Sequence, residues 1–308
     1  MIVVAGEALV DLVIGIDATV VAKLGGGPYN VARTIGRLQQ PVTFLGAVSD
    51  DRFGCRLFEQ LVADGVSADA TVRTALPTTL AAAELDERGA ATYRFYLADT
   101  SAPSLDTVPV AARAPAAVHA GTLGLVLEPM ASTLIDYLLA LPDDTLVMID
   151  PNCRAGVITD RAAYVHRVDQ ACARADVVKV SNDDTEYLAP GLDPVEYART
   201  LIARGVTLVL VTMGAQGTWV LTAGSEVLVP TERIEVADTI GAGDSFCGGF
   251  LAWWLGAGQT RHDLAETQLA VQATIAAQEV AAITCQRSGA DPPRLADLSE
   301  RWQRSIPG

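Results

Sequence analysis

The chain has 308 residues, half of them hydrophobic, and a formal net charge of −15. Large α/β folds reach this length as a single unit with a sizeable core. The acidic excess argues against broad binding to nucleic acids or anionic membranes, which needs a basic face. No uninterrupted apolar run approaches the ~18 residues of a membrane span. The N-terminal segment lacks the basic start of a signal peptide, so we expect none.

The five cysteines are odd in number and scattered, without a CxxC pair. This pattern predicts reduced thiols and a cytoplasmic enzyme rather than a disulfide framework. His119, His166 and His262 lie far apart without the spacing of metal ligands, so we expect them to be structural or surface residues.

Short apolar runs rich in β-branched residues recur along the chain. Such continuous runs are typical of strands buried on both faces of a parallel sheet. They occupy residues 2–5, 42–45, 117–120, 146–150, 177–180 and 207–211. Segments with helical spacing lie between them, the first after Asn30 and the next after Asp51. This alternation predicts a layered α/β domain with helices on both sides of the sheet.

Two regions depart from that alternation. Residues 79–85 and 92–97 flank the turn sequence DERGAA, which predicts a β-hairpin, and residues 8–13 predict a further strand that leads into 14–24. Together these segments predict a small antiparallel sheet that projects from the α/β body. A second hairpin, 218–221 with 226–229, is expected to extend the main sheet near its edge.

A glycine-rich stretch, DTIGAGD, ends at Asp244 and runs directly into an apolar segment. In that segment Phe246, Phe250 and Trp254 recur at fourfold spacing, which predicts a helix that begins near Gly243. Glycines at this density indicate a backbone that turns tightly or approaches another group closely.

The first turn of a helix attracts anions, because its N–H groups are unsatisfied and its dipole end is positive. Gly241, Ala242 and Gly243 carry little side-chain bulk, so their amides could approach a phosphate. Asp244 in the same turn could accept a proton from a substrate hydroxyl. Taken alone, this stretch is also compatible with an ordinary helix start whose first-turn acid interacts favourably with the dipole.

Other nucleotide-binding motifs are missing from the sequence. A P-loop needs Gly-Lys-[Ser/Thr], and the lysines, Lys23 and Lys179, are not preceded by glycine. Protein-kinase signatures are absent as well. The Rossmann GxGxxG fingerprint is also absent, and this absence disfavours an oxidoreductase.

Two segments together indicate a family. DTIGAGDSFCGGF resembles the C-terminal signature of the PfkB-type carbohydrate kinases, the ribokinase-like family, and GGGPYNVARTIGRL resembles the N-terminal signature. Both occur in the family's order, and the similarity covers essentially the whole chain. The resemblance implies one ribokinase-like domain over residues 1–308, a three-layer α/β/α sandwich with a mostly parallel central sheet. It also implies a small β-sheet lid, formed by segments at about 8–24 and 78–98.

The resemblance implies an ATP-dependent kinase that binds a sugar between the body and the lid, with ATP along the strand ends. Asp244 would then be the base that deprotonates the sugar hydroxyl, and the backbone of Gly241, Ala242 and Gly243 would hold the transferring phosphoryl group. Arg154, in the family-like element DPNCR, is the candidate for contacting phosphate, because no lysine is in reach by sequence. The alternative is that Arg154 is an exposed loop residue.

The sugar-binding residues implied by the resemblance come from four parts of the chain. They are Asp11 after the first strand, Gly25, Gly26 and Asn30 in the N-terminal signature, Asn152 in DPNCR, and Arg94 and Tyr96 in the hairpin. Asn30 could also cap the following helix. For Arg94 and Tyr96, a solvated hairpin face is an equally good interpretation.

Nucleotide and cation contacts are implied on three further segments. Ser181 with Asp184 best fits the family's element for Mg²⁺ and phosphate, although Asn182 with Glu186 competes at another spacing. Thr212, Gly214 and Gly217 are the expected nucleotide contacts. Asp238 and Ile240 are expected to give backbone oxygens to a monovalent cation, K⁺, on which not all members depend.

The family does not fix the acceptor. DPNCR and the aromatic hairpin TYRFY favour a fructokinase-like enzyme that phosphorylates a free hexose, most simply fructose. A 2-keto-3-deoxygluconate kinase is the alternative within the family, and a non-catalytic sugar- or nucleotide-binding regulator is the alternative of another class. Because a small sheet with one apolar face needs a covering partner, we also expect a homodimer formed through the lids.

Overall fold

The fold is that of a computed structural model, which describes residues 1–85, 91–300 and 302. In chain order, the strands of the described residues are β1 Ile2–Ala5, β2 Leu9–Ile14, β3 Val20–Gly25, β4 Val42–Leu45, β5 Ala47–Ser49, β6 Val72–Thr74, β7 Leu80–Leu85, β8 Ala91–Tyr96, β9 Ala117–Gly121, β10 Leu146–Asp150, β11 Val177–Ser181, β12 Leu208–Thr212, β13 Thr218–Thr222 and β14 Ser225–Val229.

The helices of the described residues alternate with these strands, as the sequence predicts. They are α1 Gly27–Arg37, α2 Arg52–Ala63, α3 Met130–Leu139, α4 Arg161–Arg174, α5 Asn182–Leu188, α6 Pro194–Ala203, α7 Ala242–Gly256 and α8 Thr267–Cys285. Within this part of the chain, no helix is long and apolar enough to cross a membrane.

The main sheet has the order β14-β13-β12-β11-β10-β9-β1-β4, and its neighbours from β12 to β4 pair in parallel. Successive side chains of a strand point to opposite faces. Val4 therefore joins the core under α1, α2, α7 and α8, while Val3 and Ala5 join the core under α3 to α6. Two cores on opposite faces explain why these strands are continuously apolar. The predicted three-layer sandwich is confirmed.

The hairpin β13–β14 continues the main sheet in antiparallel fashion beyond β12, as predicted. Strands β5 and β6 form a separate two-stranded parallel sheet. The predicted bounds of β9, β11 and β12 are short by one residue at the carboxyl end. Those extra residues matter, because the carboxyl ends of these strands face the candidate site.

The lid is a four-stranded sheet of order β3-β2-β7-β8. The pairs β2–β3 and β7–β8 are antiparallel, but β2 and β7 pair in parallel, so the prediction of an antiparallel sheet is correct only for the two hairpins. The reason is that β2 and β7 both enter the lid from the body and run outward side by side. The turn of the second hairpin, residues 86–90, lies outside the described residues.

A buried carboxylate joins α1, α2 and the C-terminal segment. The Asp64 side chain, at the end of α2, is fully buried and accepts hydrogen bonds of 2.8 Å from Arg33 and from Arg37 of α1. Arg294 approaches the same carboxylate at 3.4 Å. Burial alone would raise the pKa of Asp64, but the hydrogen bond from Arg37 and the charge of Arg33 hold it below its ordinary value.

We expect Asp64→Asn to lower the free energy of unfolding by about 3 kcal/mol or more, because it leaves buried arginines without their counter-charge. The measurement is urea denaturation at neutral pH. The folded-state pKa is depressed, so the stabilisation is complete above the ordinary aspartate pKa and is lost as the pH falls through the folded value. The two proteins should therefore converge in acid.

The matched control is Glu226→Gln, which neutralises an exposed carboxylate paired with Arg199. Exposed ion pairs contribute little, so its loss should be much smaller. Equal losses in the two variants at neutral pH would contradict the structural role of Asp64.

Candidate active site

A cavity of about 830 Å³ lies between the inner face of the lid and the carboxyl ends of the main sheet. This is the side on which open α/β sheets bind ligands, and the volume is within the usual range for a small-molecule site. Its floor includes Glu7 after β1 and Thr122 after β9, and Arg154 after β10 lies on its wall. The start of α7 forms one wall.

Helix α7 begins at Ala242, with Gly241 as its N-cap in the left-handed region at φ 78°. A side chain at Gly241 would be strained there, and its Cβ would lie 2.7 Å from the Cβ of Ala290. Glycine is therefore required both by the turn and by the contact with the C-terminal loop. The predicted helix start is correct to within one residue.

Asp244 is the third residue of α7 and lines the cavity, with 9 % of its surface exposed. Asn30 Nδ2 donates a hydrogen bond of 2.9 Å to its Oδ2. Burial raises the pKa of Asp244 to about 6, although the hydrogen bond from Asn30 lowers it. The charge of Asp150 adds to the rise, and Arg154 and Lys179 oppose it. A carboxylate with this pKa can serve as a general base at neutral pH.

The glycines of the N-terminal signature bring the lid and α1 together. A Cβ at Gly25 would lie 2.3 Å from Asp11 Oδ2, and one at Gly26 would lie 2.6 Å from the carbonyl oxygen of Glu7. Helix α1 begins at Gly27 with Gly26 as its N-cap, so Asn30 is the fourth helical residue. Asn30 therefore does not cap the helix, which the sequence had left open as an additional role. Its amide instead reaches Asp244.

Two oppositely charged residues of the lid face the cavity. Asp11 on β2 pairs in register with Lys23 on β3, and both line the cavity. Burial raises the pKa of Asp11 to about 6, while the charges of Arg154 and Lys23 lower it. Lys23 Nζ also reaches Ser288 Oγ at 3.4 Å, which links the lid to the C-terminal loop.

The structure corrects the prediction for Arg94 and Tyr96. Side chains alternate along β8, and it is Tyr93 and Phe95 that line the cavity. Arg94 forms an ion pair of 2.9 Å with Glu84, and Tyr96 is 56 % exposed. The sequence therefore predicts the strand correctly and its face wrongly.

The DPNCR element reaches the cavity as predicted. Asn152 adopts φ 40°, and its Nδ2 donates to Thr122 Oγ1 at 3.3 Å. Arg154 is exposed on the cavity wall and forms no salt bridge within the described residues. The backbone N–H of Cys153 donates to Asp184 Oδ1 at 2.7 Å, which fixes the loop between them.

The prediction that no lysine lies within reach is wrong. Lys179 on β11 is only 4 % exposed, and its Nζ donates to Asp150 Oδ2 at 3.0 Å. The same Nζ lies 3.3 Å from the position that a Cβ of Gly243 would occupy. Burial alone would lower the pKa of Lys179, but the charge of Asp150 raises it above its ordinary value, so the lysine stays charged. A lysine inside an otherwise apolar strand was the available signal.

Glu7 is a second residue that sequence reasoning missed. It is almost fully buried and lines the cavity; its Oε1 accepts from Gly27 N at 3.0 Å and its Oε2 from Gly124 N at 3.2 Å. Burial raises the pKa of Glu7 to about 8. Its two acceptor bonds hold the start of α1 against the turn that follows β9.

Ser181 and Asp184 form the N-terminal capping box of α5, with Asp184 Oδ2 accepting from both the backbone and the hydroxyl of Ser181. Glu186 of the competing register accepts from Gly191 N at 3.3 Å. Both carboxylate oxygens of Asp184 are therefore occupied by local hydrogen bonds. In residues 1–85, 91–300 and 302, no group of three or more acidic, histidine or cysteine side chains could hold a metal ion.

The expected nucleotide residues lie together outside the cavity lining. Thr212 ends β12 and pairs in register with Ser181 at the end of β11. Gly214 at φ 53° and Gly217 at φ 110° shape the turn that follows. Asp238 and Ile240, by contrast, line the cavity. Asp238 accepts from Ile240 N at 3.0 Å and from Gly289 N at 2.8 Å, which orders the loop before α7.

A buried carboxylate beside an anion-attracting helix start, under a lid, is the arrangement of a phosphotransferase that deprotonates an alcohol. Residues 1–297 match the sequence profile described as pfkB family carbohydrate kinase. The chain therefore belongs to the pfkB family of carbohydrate kinases, and the expectation from the two signatures is confirmed.

Similar proteins agree in sequence and in structure. The fructokinase of Rhizobium leguminosarum bv. trifolii is 34% identical over 259 residues, which cover 82% of this chain and 79% of that protein. The Xylella fastidiosa fructokinase with bound ATP superposes with a TM-score of 0.87 at 26% identity, covering 99% of this chain and 97% of the other. The Vibrio cholerae O395 fructokinase with fructose, ADP and calcium ion bound gives 0.80 at 27% identity, covering 94% of each.

We expect Asp244→Asn to lower kcat by about 10²-fold or more while ATP binding by calorimetry is retained, because the amide cannot accept the proton. If Asp244 is the base, it acts in its carboxylate form. The rate of the unmodified enzyme should therefore rise with pH through about 6 and level off above it. Asp136→Asn, on the exposed face of α3, is the control and should keep parental activity. Near-parental turnover by a folded Asp244→Asn variant would refute the assignment.

Proposed function

We propose that this chain is an ATP-dependent fructose kinase, which transfers the γ-phosphate of ATP to a hydroxyl of fructose. The observation that carries the proposal is the buried Asp244 at the start of α7, facing a cavity closed by the lid. The fructokinases to which the chain is similar, one with bound ATP and another with fructose and ADP, support the choice of both substrates.

In this proposal Asp244 accepts the proton of the attacking hydroxyl. The amides of Gly241, Ala242 and Gly243 hold the transferring phosphoryl group at the positive end of the helix dipole. The buried charge of Lys179, beside Gly243, adds to the positive potential at this point. Phosphoryl transfer depends mainly on such positioning and charge stabilisation.

The fructose would lie across the boundary between lid and body. From the lid, Asp11 offers a carboxylate that can accept two hydroxyls. From the body, Asn30 and Asn152 offer amides, and Gly25 and Gly26 let the sugar approach the backbone. Arg154, exposed on the cavity wall, would contact phosphate through its fork of donors.

The nucleotide would extend from α7 over the carboxyl ends of β11 and β12, where Ser181, Asp184, Thr212, Gly214 and Gly217 lie. A Mg²⁺ ion would neutralise phosphate charge there, held chiefly by phosphate oxygens and water, which is its usual preference. This fits a site whose nearest carboxylate, Asp184, is occupied by local hydrogen bonds. A K⁺ ion at the backbone of Asp238 and Ile240 completes the proposal.

The structure weakens the case for a 2-keto-3-deoxygluconate kinase. Arg94 and Tyr96, which were the candidates for binding a sugar carboxylate, lie on the face of β8 away from the cavity. A non-catalytic regulator is also less favoured, because it would not need a buried carboxylate tuned as a base. All five cysteines are free thiols, which supports a cytoplasmic location.

The test is an assay of ATP consumption with fructose, 2-keto-3-deoxygluconate, ribose and adenosine as acceptors. We expect fructose to give the highest kcat/KM, because Asp11, Asn30 and Asn152 in the cavity lining offer hydrogen-bond partners for the hydroxyls of a neutral sugar. A higher kcat/KM for the sugar acid would contradict the proposal and favour the alternative kinase.

The outer face of the lid supports the proposed homodimer. The residues that alternate with Asp11 and Lys23 include Ile14 and Val20, which pair in register, and Val20 is 57 % exposed. An exposed apolar side chain at this position is a candidate contact, and a second lid would present the same side chain across a two-fold axis. Light scattering should give the mass of a dimer, and Val20→Glu should give that of a monomer. A monomeric mass for the unmodified chain would exclude the dimer.

A further inference from the structure

Thr122, the first residue after β9, has an unfavourable backbone conformation. Its φ is 52°, in the left-handed region, where a β-branched residue is a genuine outlier. Asn152, which follows the neighbouring strand β10, also has a positive φ and donates its hydrogen bond to Thr122 Oγ1. Two strained residues are therefore joined side chain to side chain on the cavity floor.

This conformation costs on the order of 1–3 kcal/mol and persists only when the surroundings impose it. Among the described residues, the other non-glycine positions with positive φ are Ala18, Gln39 and Asp99, none of them β-branched and none lining the cavity. Glycine would remove the strain at position 122. The retention of a threonine there indicates that its side chain has a use.

The hydroxyl of Thr122 and the carboxylate of Asp244 border the same small space. A Cβ at Gly27 would lie 2.5 Å from Thr122 Oγ1 and 3.4 Å from Asp244 Oδ1. Because Gly27 has no side chain, this space stays open to the cavity. A hydroxyl has one donor and two acceptor positions, and Asn152 uses one acceptor. Within the described part of the chain, the O–H of Thr122 has no acceptor.

We propose that Thr122 binds the sugar directly, through a hydrogen bond between its Oγ1 and the hydroxyl adjacent to the reacting one. The inference rests on the proposed function, since it needs a polyhydroxyl acceptor beside Asp244. Asn152 orients the Thr122 hydroxyl, and Gly27 provides the room. Thr122 thus sets the position of the acceptor and contributes to the choice of sugar.

The test compares Thr122→Val, Thr122→Ser and Thr122→Gly in steady-state assays with ATP and the best acceptor of the screen. Valine keeps the β-branched shape and the strain but lacks the hydroxyl. We expect it to lower kcat/KM for the sugar by about 10- to 100-fold, the scale of a buried partner left without its hydrogen bond. The KM for ATP should stay unchanged, and serine should restore most of the sugar kcat/KM.

Thr122→Gly separates strain from recognition. It should raise the melting temperature, because glycine tolerates this φ, yet lose sugar kcat/KM as valine does. Two controls lie outside the cavity. Gln39→Gly relieves a φ of 60°, and Thr43→Val removes a buried hydroxyl that donates to Ser67 O. Both should alter stability without altering either KM.

Parental sugar kcat/KM in Thr122→Val would overturn the inference, as would equal increases in the KM of sugar and of ATP. If the valine variant does not fold, serine against glycine gives the same comparison. A parent enzyme that prefers another sugar over fructose contradicts the fructose assignment alone. The Thr122 comparison is then made with that sugar, and calorimetric sugar binding supplies a readout independent of turnover.

Discussion

The close contact between α1 and α7 is the constraint on which the site depends. A Cβ at Gly248 would lie 2.6 Å from the Cβ of Thr34, and one at Gly249 would lie 3.0 Å from Val280 on α8. Because these glycines have no side chains, the backbone of α7 packs directly against side chains of α1 and α8. Only at this separation can Asn30 donate to Asp244. The hydrogen bond from Asn30 to Asp244, the proposed base, is thus a consequence of helix packing about one turn away.

Charge is distributed in the cleft so that each carboxylate has a different environment. Within the described residues, Asp11 faces cations of the lid and the wall, Glu7 accepts from two backbone amides, and Asp244 accepts from the side-chain amide of Asn30. Burial raises the pKa of all three, although the chain as a whole is strongly acidic. Lys179 brings positive charge to the start of α7, where the proposed reaction would develop negative charge on the phosphoryl group. Local burial and pairing, rather than net charge, therefore govern the chemistry.

The sequence was sufficient for the body of the fold, because strands buried on both faces are uniformly apolar and need no choice of face. The sequence did not predict correctly which side chains of a lid strand face the cavity. On β8, Arg94 and Tyr96 alternate with Tyr93 and Phe95. Each pair contains an aromatic side chain, so the sequence does not decide which pair faces the cavity and which faces solvent. In the structure it is Tyr93 and Phe95, opposite Ala83 and Ala81 of β7, that line the cavity.

Site residues could be predicted from the sequence where they belong to one local motif. They could not be predicted where residues distant in sequence come into contact in the fold. The start of α7 follows from the glycines around Asp244. The pairing of Lys179 with Asp150 joins two strands and is invisible in either one. Glu7 likewise stands in no motif that indicates its role. Its role arises from the amides of Gly27 and Gly124, which are distant in sequence and adjacent only in the fold.

The close approach of Gly241 to Ala290 connects the glycine-rich signature to the C-terminal loop. Ala290 belongs to the loop whose Ser288 is held by Lys23 of the lid, so a short chain of contacts runs from the lid to the first residue of the anion-binding turn. These contacts link the position of the lid to the backbone amides of the turn. A lid that closed over a bound sugar would in this way align the amides and favour phosphoryl transfer to the sugar over transfer to water.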